Sequence, residues 1–366
     1  MKNNSHILNC VSAILAAWAI AVCLSSCERD DAPLSENQGS GRVISFTAAS
    51  SSEWPDITKS PINNVGDLLG DGFIVWGSWT KCPDDDSYWV GEYASGVNNA
   101  VFSTAGTEVI ATDKNSDDKF IQSQDAWLYS PKKEWYKGHY TFAAAMPASE
   151  LKENNVIGIH TSSVTFSDNA QASYNNKLTL NFPNNAFDLS TTQIDLMCAL
   201  ATQDNSLETA NQVSLDFTHI CSKVNVSIAA YDPAGDDRTL DINSIMVYGL
   251  LNSIPTPLEF TSTGNNVATQ IEESSDRSSQ EDPFYFSNKG WGVESSSQES
   301  PQGKLIIKDL LVFPGKLSTA NPFKLRIDYQ NVNNEAKSVF VKVTSGEWLA
   351  GKTYSYTFQV DIGALE

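Results

Sequence analysis

The chain has 366 residues and a formal net charge of −20, from 24 Lys+Arg against 44 Asp+Glu, with only 4 His. Charged residues are 19% of the chain, below the roughly 25% of an average soluble protein, so the acidity reflects a shortage of bases as much as an excess of acids. A chain this acidic is repelled by phosphate backbones, which argues against nucleic acid as a partner. Its 10% aromatic content argues against a disordered acidic tail. The length fits two domains of about 150 residues, or one large β domain.

Lys2 gives a small positive start, and Val11 to Leu24 is an apolar run of 14 residues. A bilayer-spanning helix needs about 20 residues, whereas a signal-peptide core has this shorter length. Leu24-Ser25-Ser26-Cys27 follows at once. A Leu and two small residues before Cys resemble a bacterial lipobox, in which the Cys is acylated and becomes the first mature residue. The alternative is an ordinary signal peptide with a chance Cys. On the lipoprotein reading, residues 1–26 are the signal peptide, Cys27 carries the lipid, and that lipid is the link to the outer membrane. No later segment is apolar enough to span a membrane. Residues 27–41 read as an acidic flexible tether, with Glu28, Asp30 and Asp31 ahead of the spacer Ser35 to Gly41. The acidic residues fit either a surface-export signal or a solvated tether.

The remaining Cys82, Cys198 and Cys221 match no zinc motif and no redox CxxC spacing. One bridge, Cys198 to Cys221, is the candidate disulfide in an oxidising compartment.

Along the chain, period-two alternation predicts strands and helical periodicity is almost absent. One short helical turn is predicted at Ala148 to Asn154. Leu178, Leu180 and Phe182 mark a half-buried strand. Val213, Leu215 and Phe217 share one parity and Val224, Val226 and Ile228 the other, so a bulge or bend near Ser222-Lys223 is expected. Glu272 to Asp282 and Glu294 to Gly303 are rich in Ser, Gln and Glu. They read as an extended loop pair around a short hairpin strand at Phe284-Tyr285-Phe286. Stripes at Leu325, Ile327, Tyr329, at Val339, Val341, Val343 and at Tyr354, Tyr356, Phe358, Val360, Ile362 complete the series. Clusters such as Asn184-Asn185 and Asp232-Pro233-Ala234-Gly235 break the runs. The pattern is that of an all-β protein built of antiparallel β-sandwiches.

Enzyme signals are weak. Gly346-Glu347-Trp348-Leu349-Ala350-Gly351-Lys352-Thr353 satisfies the P-loop pattern. A phosphate cradle needs a helix after the loop; the strand pattern that follows argues against nucleotide binding. His139, His160 and His219 are far apart in sequence and read as structural or surface residues. Asp84-Asp85-Asp86 reads as a solvated turn more readily than a calcium loop. The chain is expected to be no enzyme and to carry no cofactor, no metal and no catalytic residue. Eight of its Trp residues follow Cys27, which motivates an alternative reading as a surface glycan-binding lipoprotein. Core packing of Trp76, Trp79, Trp89, Trp127 and Trp135 competes with that reading.

Several segments together resemble the fimbrillin family of Bacteroidetes lipoproteins, the Mfa-like pilins. They are Val43-Ile44-Ser45-Phe46-Thr47-Ala48 with Thr58-Lys59-Ser60 after it, Phe73-Ile74-Val75-Trp76, and Ala126-Trp127-Leu128-Tyr129 leading through Pro131 and Trp135 to Tyr140-Thr141-Phe142-Ala143-Ala144 and Met146-Pro147. Asp195-Leu196-Met197-Cys198-Ala199 is similar to the family's D-L-M-Y-A. Val213-x-Leu215-x-Phe217-x-His219 with Ser222-Lys223 is similar to its L-x-F-x-H-x-x-S-K. Trp348-x-Ala350-Gly351-Lys352-x-Tyr354-x-Tyr356 resembles its C-terminal motif. The family often has Thr-Arg-Ala where this chain has Thr58-Lys59-Ser60.

The resemblance implies two tandem transthyretin-like β-sandwich domains, at 42–207 and 208–366, the second carrying a polar loop insertion at 272–303. It implies a surface-exposed pilin subunit of type V fimbriae (stalk, tip or anchor) with a role in adhesion. Such subunits assemble with other pilin subunits head-to-tail by protease-triggered strand exchange. A host glycan or protein receptor is the further partner implied. Mapped here, the removable strand is Arg42 to Ala49 and Lys59 is the expected processing site. A cut at Arg42 would only free the protein from its lipid. Both bases also fit ordinary exposed positions. The donor strand would be Tyr354 to Ile362 or one close to it.

Overall fold

The computed structural model describes residues 43–50, 71–80, 99–111, 127–136, 138–166, 172–189, 193–205, 212–235, 238–251, 253–263, 266–270, 284–296, 303–330 and 335–362. In chain order the elements up to His219 are β1 (Phe46–Ser50), β2 (Phe73–Thr80), β3 (Asn99–Ala100), β4 (Thr107–Ala111), β5 (Trp127–Leu128), β6 (Gly138–Met146), helix α1 (Ala148–Glu153), β7 (Ile157–Phe166), β8 (Ala172–Asn181), β9 (Ala186–Asp188), β10 (Met197–Asn205) and β11 (Val213–His219). The chain continues through β12 (Ser222–Tyr231), β13 (Thr239–Tyr248), β14 (Ser253–Pro255), β15 (Leu258–Thr263), β16 (Asn266–Gln270) and β17 (Phe284–Ser296). It ends with β18 (Lys304–Val312), β19 (Gly315–Leu317), β20 (Phe323–Gln330), β21 (Ala336–Val343), β22 (Gly346–Trp348) and β23 (Thr353–Asp361). The protein is all-β, as the alternation predicts, and α1 fills the one position where a helical turn is expected.

An eight-stranded sheet runs β1-β11-β10-β6-β2-β4-β5, with β3 beside β2. Its central strands are buried on both faces. Phe73, Val75, Phe142, Ala144 and Met146 enter one core, while Ile74, Trp76, Ala143 and Ala145 enter a second. Burial on both sides is why Phe73–Trp76 and Tyr140–Met146 read as continuous apolar runs without alternation. The second core is shared with a four-stranded sheet, β16-β15-β8-β7, through Leu178, Leu180 and Phe260.

A seven-stranded sheet, β18-β12-β17-β13-β20-β21 with β23 on β12, encloses the third core around Val226, Ile245, Ile327 and Trp348. Strand β11 stops at His219 and β12 starts at Ser222. This two-residue break is the expected bend: it sends Val213, Leu215 and Phe217 into the first core and Val224, Val226 and Ile228 into the third.

Two findings differ from the sequence reading. Strand pairing crosses the boundary expected between 207 and 208. Strand β11 pairs with β1 and β10, β14 pairs with β9, and β15 pairs with β8. The polar composition near 206–211 marks a connection between strands of one sheet. Residues 284–296 are a single 13-residue strand, not a short hairpin. Strand β17 pairs along β13 with one register shift between Ile242 and Ser244, and that irregularity hides its alternation.

Cys198 and Cys221 are free thiols, both buried in the second core, so the candidate bridge is not formed. Burial pushes both thiols well above the usual range, and the nearby Asp195 carboxylate adds to the effect at Cys221. Phe46, 1% exposed, makes ring contacts with Phe73, Phe102, Tyr129 and Phe142.

Phe46→Ala is expected to destabilise the fold by about 3–5 kcal/mol, read as a shift in the urea midpoint. Iodoacetamide at pH 8 is expected to leave Cys198 and Cys221 unmodified in the native protein and to alkylate both in denaturant. Peptide mass mapping checks this.

Candidate functional site

The residues that chemistry and motif single out gather at two places: around the first strand, and where β11 turns into β12.

Strand β1 lies at one end of the eight-stranded sheet and pairs in parallel with β11, with Phe46 opposite Val213 and Ser50 opposite Phe217. The Val213 N–H donates to the Ser45 carbonyl at 2.8 Å. Alternation places Ile44, Phe46 and Ala48 in the first core at 0–2% exposure. Just before β1, Val43 bridges Glu134 antiparallel, and the Ile44 N–H donates to the Lys133 carbonyl at 2.8 Å. The Tyr129 hydroxyl donates to the Ile44 carbonyl at 2.8 Å and accepts from the Lys133 N–H at 3.3 Å. Burial pushes Tyr129 up to about 12, partly opposed by its bond to the Lys133 backbone. The hydroxyl therefore stays a donor at physiological pH. Lys132 sits over the Tyr129 ring at 4.8 Å. Outside this loop runs a groove of about 640 Å³ between Ile110, Leu128, Pro131 and Lys132. Residues 129–134 thus form a second hold on the chain, one that periodicity does not reveal. The only trace of it in sequence is the aromatic density of 127–136.

The second place assembles the remaining motifs. His219 Nδ1 lies 2.7 Å from Asp195 Oδ1, and both side chains are 1% exposed. This contact joins the Asp195–Ala199 motif to the end of β11. The Ser222 hydroxyl donates to the Leu349 carbonyl at 2.9 Å. The Gly351 N–H donates to the Cys221 carbonyl at 2.8 Å, and the Lys223 N–H to the Lys352 carbonyl at 2.9 Å. Gly351 has φ +66°, a conformation that costs glycine little. The P-loop string is therefore a tight turn between β22 and β23, docked on the start of β12 and followed by a strand. Buried Lys223 lies near Asp309, whose carboxyl is pushed up by burial and pulled back by Lys223 and Lys308.

Strand β23 pairs in parallel with β12 from Lys223–Thr353 to Tyr231–Asp361. Tyr354, Tyr356 and Phe358 line its inner face half-buried, and Val360 and Ile362 are buried. Trp348 Nε1 donates to the Tyr356 hydroxyl at 2.8 Å.

Cys27, Arg42 and Lys59 lie outside the described residues, as do Cys82, Asp84–Asp86 and Trp89. Trp76, Trp79, Trp127 and Trp135 are at most 4% exposed, so these four indoles are core and offer no stacking face to a sugar. His160 bonds Asn176 at 2.8 Å and burial lowers its pKa. His139 contacts Tyr174 and Asp204. Among the described residues no group of three or more His, Cys, Asp or Glu could hold a metal ion, and no helix is long and apolar enough to cross a membrane.

No functionally curated protein matches the chain. Among solved structures, a fimbrial protein from Bacteroides vulgatus aligns at 15% identity and TM-score 0.50, covering 89% of this chain and 96% of that one. A candidate cell adhesion protein from Bacteroides uniformis aligns at 14% identity and TM-score 0.34 over 88% and 95%. One from Bacteroides fragilis aligns at 10% identity and TM-score 0.35 over 88% and 94%. The first of these likenesses concerns the fold alone. The fimbrillin-like family profile matches residues 85–366, taking in both the Asp195–Lys223 motifs and the C-terminal turn and strand, and the chain belongs to the fimbrillin-like family.

Proposed function

We propose that this fimbrillin-like protein is a lipid-anchored subunit of type V surface fimbriae that polymerises by strand exchange. The observation that carries the reading is β1. Among the described residues it is an edge strand, held by main-chain pairing to β11 and by an apolar side-chain row sunk in the first core. Removing such a strand leaves unpaired N–H and C=O groups beside an apolar slot, and a strand from another chain satisfies both. Lys59 lies between the end of β1 at Ser50 and the next described residue, Asp71. Cutting there severs β1 from the rest of the sheet. A strand donated head-to-tail makes a heterologous contact, which propagates as a filament and not as a closed ring.

Strand β23, or one close to it, is the donor in this scheme. It is parallel to its host strand, as β1 is. Donation therefore exchanges one parallel pairing for another, and β12 is uncovered when β23 leaves. Upstream, Cys27 acylation holds the precursor at the outer membrane, with 27–41 as the tether and two sandwiches beyond it, and the exposed fimbrium serves adhesion.

Trypsin treatment of the purified full-length protein is expected to release the N-terminal segment and to give a ladder of stable oligomers on gels. A product that stays monomeric overturns polymerisation by this route. Cys27→Ala is expected to abolish incorporation of labelled palmitate and to remove the protein from the outer-membrane fraction. Undiminished labelling overturns the anchor.

A further inference from the structure

Strand β21 (Ala336–Val343) ends the seven-stranded sheet, and among the described residues its only main-chain partner is β20. Its residues pair with β20 without a register shift, and it contains no Pro or Gly. The flank away from β20 therefore presents a regular row of N–H and C=O groups that can accept another strand. Strand β18, at the opposite end of that sheet, is interrupted by two register shifts, a feature that discourages such pairing.

The side chains of β21 are as incompletely covered as its main chain. Val339, Val341 and Val343 face the third core but stay only partly buried. On the other face Phe340 is 66% exposed, the most exposed large hydrophobic side chain among the described residues. Across to β20, Phe340 stands opposite Arg326, Ser338 opposite Asp328, and Lys342 opposite Lys324. The two lysines repel each other. Asp328 accepts from Arg326 Nε at 2.8 Å and from the Ser338 hydroxyl at 2.6 Å.

The sequence of β21 is complementary to itself. Antiparallel pairing of two copies about Phe340 sets Phe340 against Phe340 of the second copy and Val339 against its Val341. It sets Lys342 against Ser338 of the second copy, beside the Asp328 carboxylate. A two-residue slip in either direction sets Phe340 against Ser338 or Lys342, and a one-residue slip sets the outer face of one strand on the inner face of the other. Strand β7 is the other long edge strand with exposed apolar residues, Ile157 and Ile159. Those lie at one end of it, so self-pairing about its centre sets them against Thr165 and Ser163.

We propose that β21 is an interaction edge for a second copy of this chain, two β21 strands pairing antiparallel with Phe340 on the two-fold axis. The contact covers Phe340 and the half-buried valines and continues one sheet across both copies. It is isologous and closes at two copies, so it joins subunits side by side and does not lengthen a filament. It uses no part of β1 and does not rest on strand exchange.

The test uses the uncleaved full-length protein. In sedimentation experiments it is expected to pass from monomer to dimer between about 1 and 100 µM, and Phe340→Lys is expected to raise the dissociation constant about tenfold. Phe340→Cys, under mild oxidation, is expected to give a disulfide-linked dimer that wild-type protein does not give, since directly opposed positions on neighbouring strands have Cβ atoms about 4.5–5.5 Å apart. Lys337 lies opposite Val343 of the second copy, which sets the two Lys337 positions about 20 Å apart, so Lys337→Cys is expected not to crosslink. A protein that stays monomeric over that range overturns the proposal. Dimerisation that Phe340→Lys leaves unchanged overturns β21 as the contact. Crosslinking at Lys337→Cys as fast as at Phe340→Cys overturns the pairing about Phe340.

Discussion

Phe46 is the side chain on which the first half of the fold closes. A strand at the end of a sheet has main-chain partners on one flank only, so its attachment depends on what its side chains bury. Ile44, Phe46 and Ala48 put their whole alternate row into the first core, and Phe46 stands among four other rings. Each such ring pair contributes about 0.5–1.5 kcal/mol beyond area burial. A few residues therefore carry the attachment of this segment. The same concentration makes the strand separable: remove one short segment and one contiguous slot opens, while β2, β6 and β10 keep their mutual pairing.

The junction between β11 and β12 has a different character. It is built of polar groups that find partners away from water: His219 with Asp195, Ser222 with the Leu349 carbonyl, and Asn225 accepting from the Asp309 N–H at 2.8 Å. Buried polar groups cost free energy when unpartnered, so such contacts tolerate few alternative arrangements. They fix where the chain passes from the first sheet to the third and where the C-terminal turn docks. Asp195 Oδ2 has no partner among the described residues, so the carboxylate is only half satisfied and the His219 contact matters more to it.

Much of this was legible in the sequence, for identifiable reasons. Alternation at Leu325–Tyr329 and Tyr354–Ile362 survives because those strands have one face in a core and one outside it. The motifs at Asp195, His219, Ser222 and Gly351 were legible as matches to the family, while the partners of Ser222 and Gly351 are main-chain carbonyls that no residue type announces. The 13 residues of β17 were not legible: polar Ser287 and the Gly292 opposite Asp241 interrupt the row where the register shifts. The pairing of β14 and β15 with β9 and β8 was not legible either, because pairing between residues 65 to 84 apart leaves no local trace. In the sequence Tyr129 figures only as part of the segment Ala126-Trp127-Leu128-Tyr129. Its role lies in a hydroxyl aimed at a backbone carbonyl 85 residues away, and residue type does not disclose direction.

The two terminal strands differ in how they are held, and the difference bears on the proposed exchange. Strand β1 has five residue pairs on its host and buries Phe46 and Ala48, with Ile44 buried just ahead of it under the Tyr129 hydroxyl. Strand β23 has nine residue pairs, yet three of its inward aromatic residues stay half-buried. Its main-chain attachment is longer and its side-chain attachment shallower. In the proposed exchange, moving Phe358 from that half-buried row to the place of Phe46 among its four rings would gain apolar burial at roughly 25 cal/mol per Å². The main-chain pairs lost on β12 would be replaced only in part by pairs on β11, whose described length is 7 residues. The proposed exchange would be driven by side chains and opposed by main chain. Its direction would then depend on whether the space among Phe73, Phe102, Tyr129 and Phe142 is empty, the condition that the proposed proteolytic loss of β1 would supply.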